Sequence, residues 1–176
     1  MKYARIERER RFLLATAPAG LDMDAGYQEL DDLYLESSSL RLRAARAADG
    51  SILELKLSQK QASPSGPAHC FITTLYLSPA EYELLSRLPG RRLCKRRHRH
   101  VDAGISFGID ILRGALAGLV LAEAEAASDE ELWSYPLPAF AQVEVTELLE
   151  FTGGALASAE PASVLRRALE LLSRPV

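Results

Sequence analysis

Charged and apolar side chains take turns along the first two thirds of this chain, and that alternation restricts the fold more than any other feature. In residues 5–14, Glu7, Glu9 and Arg11 share one parity, and Ile6, Arg8, Arg10 and Phe12 share the other. In 40–45, Arg41 and Arg43 oppose Leu40, Leu42 and Ala44; in 52–58, Ile52, Glu54, Lys56 and Ser58 oppose Leu53, Leu55 and Leu57. Segments 70–77, 92–101, 104–112 and 118–127 repeat the pattern. Successive side chains of a strand point to opposite faces, so a period near two predicts strands. Asp49-Gly50-Ser51 and Asp102-Ala103-Gly104 carry hairpin-turn chemistry, and Ser63–Pro67, with two prolines and a glycine, predicts a short loop.

Helices punctuate this pattern. Ser78-Pro79-Ala80-Glu81 combines an N-cap serine, a proline at the first helical position and a glutamate three residues after the cap. It predicts a helix of about ten residues ending near Pro89-Gly90. Ser128-Asp129-Glu130-Glu131 is a second capping box, and residues 141–151 predict a third, weaker helix. From Glu160 to Ser173, Val164, Leu165, Ala168, Leu169, Leu171 and Leu172 recur at helical spacing, a stripe that suits either a core or a homodimer contact. The sum is an α+β domain dominated by a meandering antiparallel sheet.

A chain of 176 residues fits one domain, 1–176, with room for one core. Its 48% apolar and 26% charged residues are those of a globular chain and argue against disorder. No run approaches the roughly 18 to 20 apolar residues of a membrane span. The opening residues Lys2, Arg5, Glu7 and Arg8 lack the apolar stretch of a secretory signal. Cys70 and Cys94 are too few and too isolated for a disulfide framework or a thiolate zinc site, so a reduced, cytoplasmic protein is expected.

The net charge of −3 hides how the charges are arranged. An antiparallel sheet packs one face and solvates the other, so a single Glu-x-Glu or Arg-x-Arg needs no further explanation. The set does. One parity collects Glu7, Glu9 and Arg11, then Arg41 and Arg43, Lys56, Lys95 and Arg97, Asp110, and Glu123 and Glu125. On most of these strands the other parity is largely apolar, 92–101 being the exception. If the sheet closes with its apolar side under helices, the charged parity lines the inside. Clustered carboxylates bind hard divalent cations, and clustered Arg and Lys bind phosphate oxygens. A metal–polyphosphate complex uses both, and phosphoryl transfer depends mainly on positioning and charge neutralisation.

The order of motifs resembles that of the CYTH superfamily, the triphosphate tunnel metalloenzymes, which include class IV adenylate cyclases, thiamine triphosphatases and inorganic tripolyphosphatases. Glu7-Arg8-Glu9-Arg10-Arg11 is similar to its Glu-x-Glu-x-Lys opening, Leu33-Tyr34-Leu35 to its Gly-Tyr-Leu, Leu40-Arg41-Leu42-Arg43 to its Arg-x-Arg strand, and Leu55-Lys56 to its Thr-Leu/Ile-Lys strand. Lys95-Arg96-Arg97-His98 is similar to its Lys-Thr-Arg-Tyr, and Asp110 to an acid in its Val-Asp-Val-Phe-like strand. Gly118–Glu125 resembles Gly-Leu-x-x-Ala-Glu-Val-Glu, and Val143-Glu144-Val145-Thr146 contains Glu-Val-Thr. The resemblance implies an eight-stranded antiparallel β-tunnel, a closed barrel with helices packed outside. It implies one Mg²⁺ or Mn²⁺ at Glu123 and Glu125 and a second at Glu7 and Glu9 with Asp110. Arg11, Arg41, Arg43, Lys56, Lys95 and Arg97 would grip a small-molecule triphosphate or polyphosphate, with Tyr34 and Lys56 as a catalytic pair. Inorganic tripolyphosphatase is the favoured activity; class IV cyclase and thiamine triphosphatase are alternatives on the same scaffold.

Three departures stand out. Arg11 replaces the motif's lysine and cannot deprotonate as a base. The family's acidic strand after Lys56 is His69-Cys70-Phe71-Ile72-Thr73-Thr74-Leu75-Tyr76, which leaves Glu54 or Glu144 to compensate. The C-terminal Arg-Tyr-x-Asn is replaced by Phe151-Thr152-Gly153-Gly154. Two non-enzyme readings compete. A binder of polyphosphate without catalysis has no need of two Glu-x-Glu pairs. A nucleic-acid binder would use the basic run Arg91–His100, but the chain is acidic overall and no aromatic interrupts that run. Parity separates the two uses of this run: a tunnel needs Lys95 and Arg97 inward, whereas a nucleic-acid patch needs most of the run exposed.

Overall fold

The computed structural model describes residues 3–173; Lys2 lies outside them. Nine strands make one sheet: β1 (Arg5–Leu14), β2 (Tyr27–Leu35), β3 (Leu40–Ala47), β4 (Ile52–Ala62), β5 (His69–Tyr76), β6 (Gly90–Asp102), β7 (Ile105–Leu112), β8 (Val120–Glu125) and the short β9 (Val143–Glu144). The order is β5-β4-β3-β2-β6-β7-β8-β1-β9, with every pairing antiparallel. An additional β5–β1 pairing closes the first eight into a barrel. Four helices lie outside: α1 (Pro79–Leu85), α2 (Asp129–Ser134), α3 (Gly153–Ser158) and α4 (Pro161–Leu172). No described helix is long and apolar enough to cross a membrane.

The expected turns form for the expected reasons. Gly50 takes φ +86° between β3 and β4, and Asp49 accepts hydrogen bonds from the Ser51 amide and hydroxyl. Between β6 and β7, Ala103 and Gly104 both take positive φ, 49° and 82°, the twist a two-residue hairpin needs. The Ser78 capping box is present, but α1 ends after seven residues.

Two expectations are corrected. Residues 27–35 form the strand β2, although Leu30, Leu33 and Leu35 do not alternate and acids sit on both faces. Acids are depleted in strands, so this segment carries little strand signal of its own. Residues 141–151 are not a helix. They hold β9, then a 3-10 turn at Leu149–Phe151, with α3 following at Gly153. The cause is β1. Beyond the stretch that β5 covers, its backbone still needs partners; Gln142 N–H donates to the Leu13 carbonyl and Val145 N–H to that of Arg11.

The apolar parity packs under the helices as expected. Phe12, Leu14, Phe107, Ile109, Ala122 and Ala124 form one core with Ala141, flanked by Tyr135 and Phe140. Leu33, Leu35 and Leu42 form another beneath Tyr82 and Leu85 of α1. The inward parity itself turns apolar at Leu13, Leu93, Leu112 and Leu121, which pack with Val145, Phe151 and Leu156 and with Val164, Ala168 and Leu171 of α4. The α4 stripe therefore serves the core, with Leu169 left exposed.

Arg10 is an exception on the apolar face. It is 7% exposed and makes a bidentate pair with Glu144 at 2.9 and 2.7 Å. It also donates to the carbonyls of Leu132 and Tyr135, and it lies over the rings of Phe12 and Trp133. One guanidinium thus ties α2 and β9 to β1. Arg10→Ala should cost about 3 kcal/mol, because it strands Glu144 and two carbonyls. Urea unfolding should register that loss, whereas removing the exposed Arg87–Glu83 pair by Arg87→Ala should leave the midpoint unchanged.

Candidate active site

Closing the sheet brings the charged parity to the inside. The interior holds a cavity of about 1010 Å³. Its lining runs from Ser38, Ser39 and Gly154 near one end of the strands to Tyr76 and Glu125 near the other. Of the residues singled out in the sequence, Glu7, Glu9, Arg11, Tyr34, Arg41, Arg43, Lys56, Lys95, Arg97, Glu123 and Glu125 all line it. Asp110 does not; it lies behind Lys95 and Arg97, 1% exposed, and both cations bond to it.

The charges are sorted by wall. β1 and β8 carry the acids: Glu9 and Glu125 are direct cross-strand partners, as are Arg11 and Glu123. Arg11 bonds to Glu9 and sits 3.5 Å from Glu123. Lys60 pairs with Glu7, and Arg97 reaches Glu123 as well as Asp110. Glu125 makes no ion pair among the described residues. Burial, and then the carboxylate of Glu123, push Glu9 above the ordinary carboxylate range. Burial opposes ionisation at Glu123 too, but Lys95, Arg97 and Arg11 together hold it well below that range.

The facing wall, from β2, β3, β4 and β6, is basic. Asp32 is fully buried and forks onto Arg43 at 2.5 and 2.6 Å. Arg41 stands 3.9 Å from the same carboxylate, and its buried Nε has no hydrogen-bond partner. A buried guanidinium nitrogen left open toward a cavity is a place for an anion's oxygen. Lys95 is buried against Asp110, and burial pulls its pKa down.

Small residues make room for these reaches. A Cβ on Gly108 would come within 3.1 Å of the Arg97 Nε, so glycine lets Arg97 lie across β7 toward Glu123. A Cβ on Gly153 would overlap the Tyr34 hydroxyl. The Gly153-Gly154 pair that departs from the family pattern is therefore the seat of the Tyr34 ring. Burial, and then Asp32, raise the pKa of that tyrosine.

Tyr34 and Lys56 share the cavity but are not cross-strand partners. β3 separates them, Tyr34 facing Arg41 and Lys56 facing Arg43, and the Lys56 ammonium lies 2.5 Å from Glu54. Two site residues escaped the sequence reading. Asp32 lies on the unread strand β2, although it shares the parity of Tyr34; Lys60 lies two residues past the end assigned to 52–58. Neither Glu54 nor Glu144 lines the cavity, so neither replaces the acids missing from β5. The inward positions of β5 are Cys70, Ile72, Thr74 and Tyr76, with Thr74 hydrogen-bonded to Ser58 at 3.2 Å.

The basic run divides as a tunnel requires. Lys95 and Arg97 face the cavity, and Arg96 lies outside over the Tyr27 ring at 4.3 Å. His98 also points outward, yet it is 1% exposed, beside Tyr27. No continuous basic strip results.

Asp32 links the site to stability. Burial opposes its ionisation, but Arg43 and then Arg41 lower its pKa from 3.8 to about 2. A depressed pKa stabilises the fold above the unfolded value and loses that contribution as pH falls through the folded one. The contribution is about 2 kcal/mol. Acid titration of urea stability should therefore show a loss between about pH 4 and pH 2 that Asp32→Asn removes.

No family model matches the chain, and neither does any curated protein. Solved structures do. The inorganic triphosphatase NE1496 is 27% identical, with a TM-score of 0.60 over 88% of this chain and 96% of its own. A second structure, described as the hypothetical protein NE1496, is 28% identical with a TM-score of 0.59, over 88% and 99%. A candidate adenylate cyclase from Bacillus halodurans, 17% identical with a TM-score of 0.52 over 75% and 86%, shares the fold. With the closed tunnel and its two charged walls, these neighbours identify the chain as a member of the CYTH superfamily.

Proposed function

We propose that the protein is a hydrolase of triphosphates, with inorganic tripolyphosphate as substrate and Mg²⁺ or Mn²⁺ as cofactor. The observation that carries this is the facing pair of walls: Arg41, with its unpartnered Nε, beside Arg43, Lys56 and Lys95, across from Glu7, Glu9, Glu123 and Glu125. The likeness to an inorganic triphosphatase supports it.

Among the described residues, no group of three or more His, Cys, Asp and Glu is gathered closely enough to enclose a metal ion. The acidic wall still fits one chemically. It offers carboxylate oxygens, as hard divalent cations require; Glu9 is strained by the neighbouring charge of Glu123, and Glu125 has no ion-pair partner. Glu9, Glu123 and Glu125 would hold the cation, displacing Arg11 and Arg97 from their carboxylates. When bound, it supplies neutralising charge and lowers the pKa of the attacking water.

The remaining work belongs to side chains. Arg41 and Arg43 take phosphate oxygens in fork geometry, Lys56 and Lys95 as point charges. Asp32 and Asp110 keep these cations aimed, so little reorganisation accompanies binding. Tyr34, protonated at neutral pH, donates a hydrogen bond to the chain and does not act as a base. Water attacks the terminal phosphorus in line, the bridging P–O bond breaks, and phosphate and pyrophosphate leave.

Phosphate release from tripolyphosphate, thiamine triphosphate and ATP, each with and without Mg²⁺ or Mn²⁺, tests the proposal. Tripolyphosphate should be turned over fastest and only with metal; no release from any of the three overturns the hydrolase assignment. Preference for ATP with cyclic product, or for thiamine triphosphate, would select the alternative activities of this scaffold. Glu123→Gln should lower kcat/KM by about 100-fold or more, and Arg41→Ala by about 100-fold.

A further inference from the structure

Lys60 belongs to none of the motifs that carry the family resemblance, yet it reaches the acidic wall from the opposite side. It stands on β4 with the inward parity of Lys56 and Ser58 and lines the cavity. Its ammonium is ion-paired with Glu7, and its charge is also felt at Glu9 and Glu123. The register places Lys60 opposite Ile72 and Glu7 opposite Cys70. The β5 wall beside them continues with Thr74 and Tyr76, so it offers no further carboxylate. Glu7 thus has a cation already in place and no acidic neighbour on β5 with which to gather a second metal. The other three acids are different: Glu9, Glu123 and Glu125 lie together on the adjacent strands β1 and β8, and Glu125 is unpaired.

Resting on the metal-dependent reading above, we propose that Lys60 is a tethered cation standing in for a second divalent ion. The tunnel then holds one metal, at Glu9, Glu123 and Glu125, while Glu7 serves Lys60. An ammonium brings one positive charge instead of two, needs no capture from solution, and has three rotatable donors for a phosphate oxygen. It neutralises and orients, but cannot polarise an oxygen as a Lewis acid does. Lys60 is in this sense a positioning residue.

Counting bound ions tests it directly. Mn²⁺ alone is titrated into the purified protein and the free ion followed by electron paramagnetic resonance. Wild type should bind one Mn²⁺ per chain. Lys60→Met and Lys60→Gln should each bind two, and Lys60→Arg, which keeps the charge, should stay at one. Two ions in the wild type, one ion in both neutral variants, or none in any of them overturns the assignment. The wild-type count decides even if a variant fails to fold. Phosphate release from the same preparations separates the two claims. An active wild type with two ions sinks the role of Lys60 alone. An inactive wild type with one ion, rising to two in the neutral variants, sinks the triphosphatase reading and leaves Lys60 as a cation surrogate.

Discussion

A charge taken inside a closed sheet must find an opposite charge there, and this requirement shapes the whole molecule. Asp32 and Asp110 are shut away from solvent, and each serves two cations, Arg43 with Arg41 and Lys95 with Arg97. Left alone, any one of these groups would cost several kcal/mol. The partners are supplied by register: Asp32 and Arg43 are direct cross-strand neighbours, as are Arg97 and Asp110. A slip of one residue would turn Arg43 outward and Leu42 inward. The same contacts therefore hold the barrel in register and build its site.

How much of this was legible in the sequence depended on local chemistry. The strands β3, β4, β7 and β8 declare themselves, because charge or polarity falls on one parity and Leu, Ile or Ala on the other. β2 does not, since Leu30 shares the inward parity of Asp32 and Tyr34. Only its hydrogen bonding to β3 and β6 makes it a strand. With β2 unread, Asp32 stayed hidden although it is the most deeply buried acid of the basic wall. Residues 141–151 misled for the opposite reason. Their local pattern is compatible with a helix, but the uncovered edge of β1 claims them as β9, and Arg10 fixes Glu144 there. The motif residues were readable because they repeat along the chain; Arg10 and Lys60 were not, because their partners, Glu144 and Glu7, are far away in sequence.

The interior is neutralised pair by pair before any substrate arrives. Binding a polyanion is then an exchange of partners, in which Arg11 and Arg97 leave carboxylates for phosphate oxygens as cations arrive at the acids. Such an exchange avoids exposing a bare charge at any stage. It also explains why the aiming acids sit behind the cations and the acids of the other wall stand in front, facing the cavity. The likeness to NE1496 spans almost the full length of that protein, so this arrangement rests on a shared barrel and not on a fragment of one.

β1 has one further consequence, for the order in which the molecule can be made. It is the first strand of the chain, yet its partners are β5, β8 and β9. As the polypeptide leaves the ribosome, β2 to β4 can begin to pair while β1 still lacks its main partner, which ends at Glu125. Until then Glu7, Glu9 and Arg11 remain in water, where they need no partners, and Phe12 and Leu14 have nothing to cover them. Closure is a late event with a long loop to pull shut, and such non-local pairings fold slowly. The alternating charges of β1 are well suited to that wait, since they keep an unpaired strand soluble and discourage it from joining another chain.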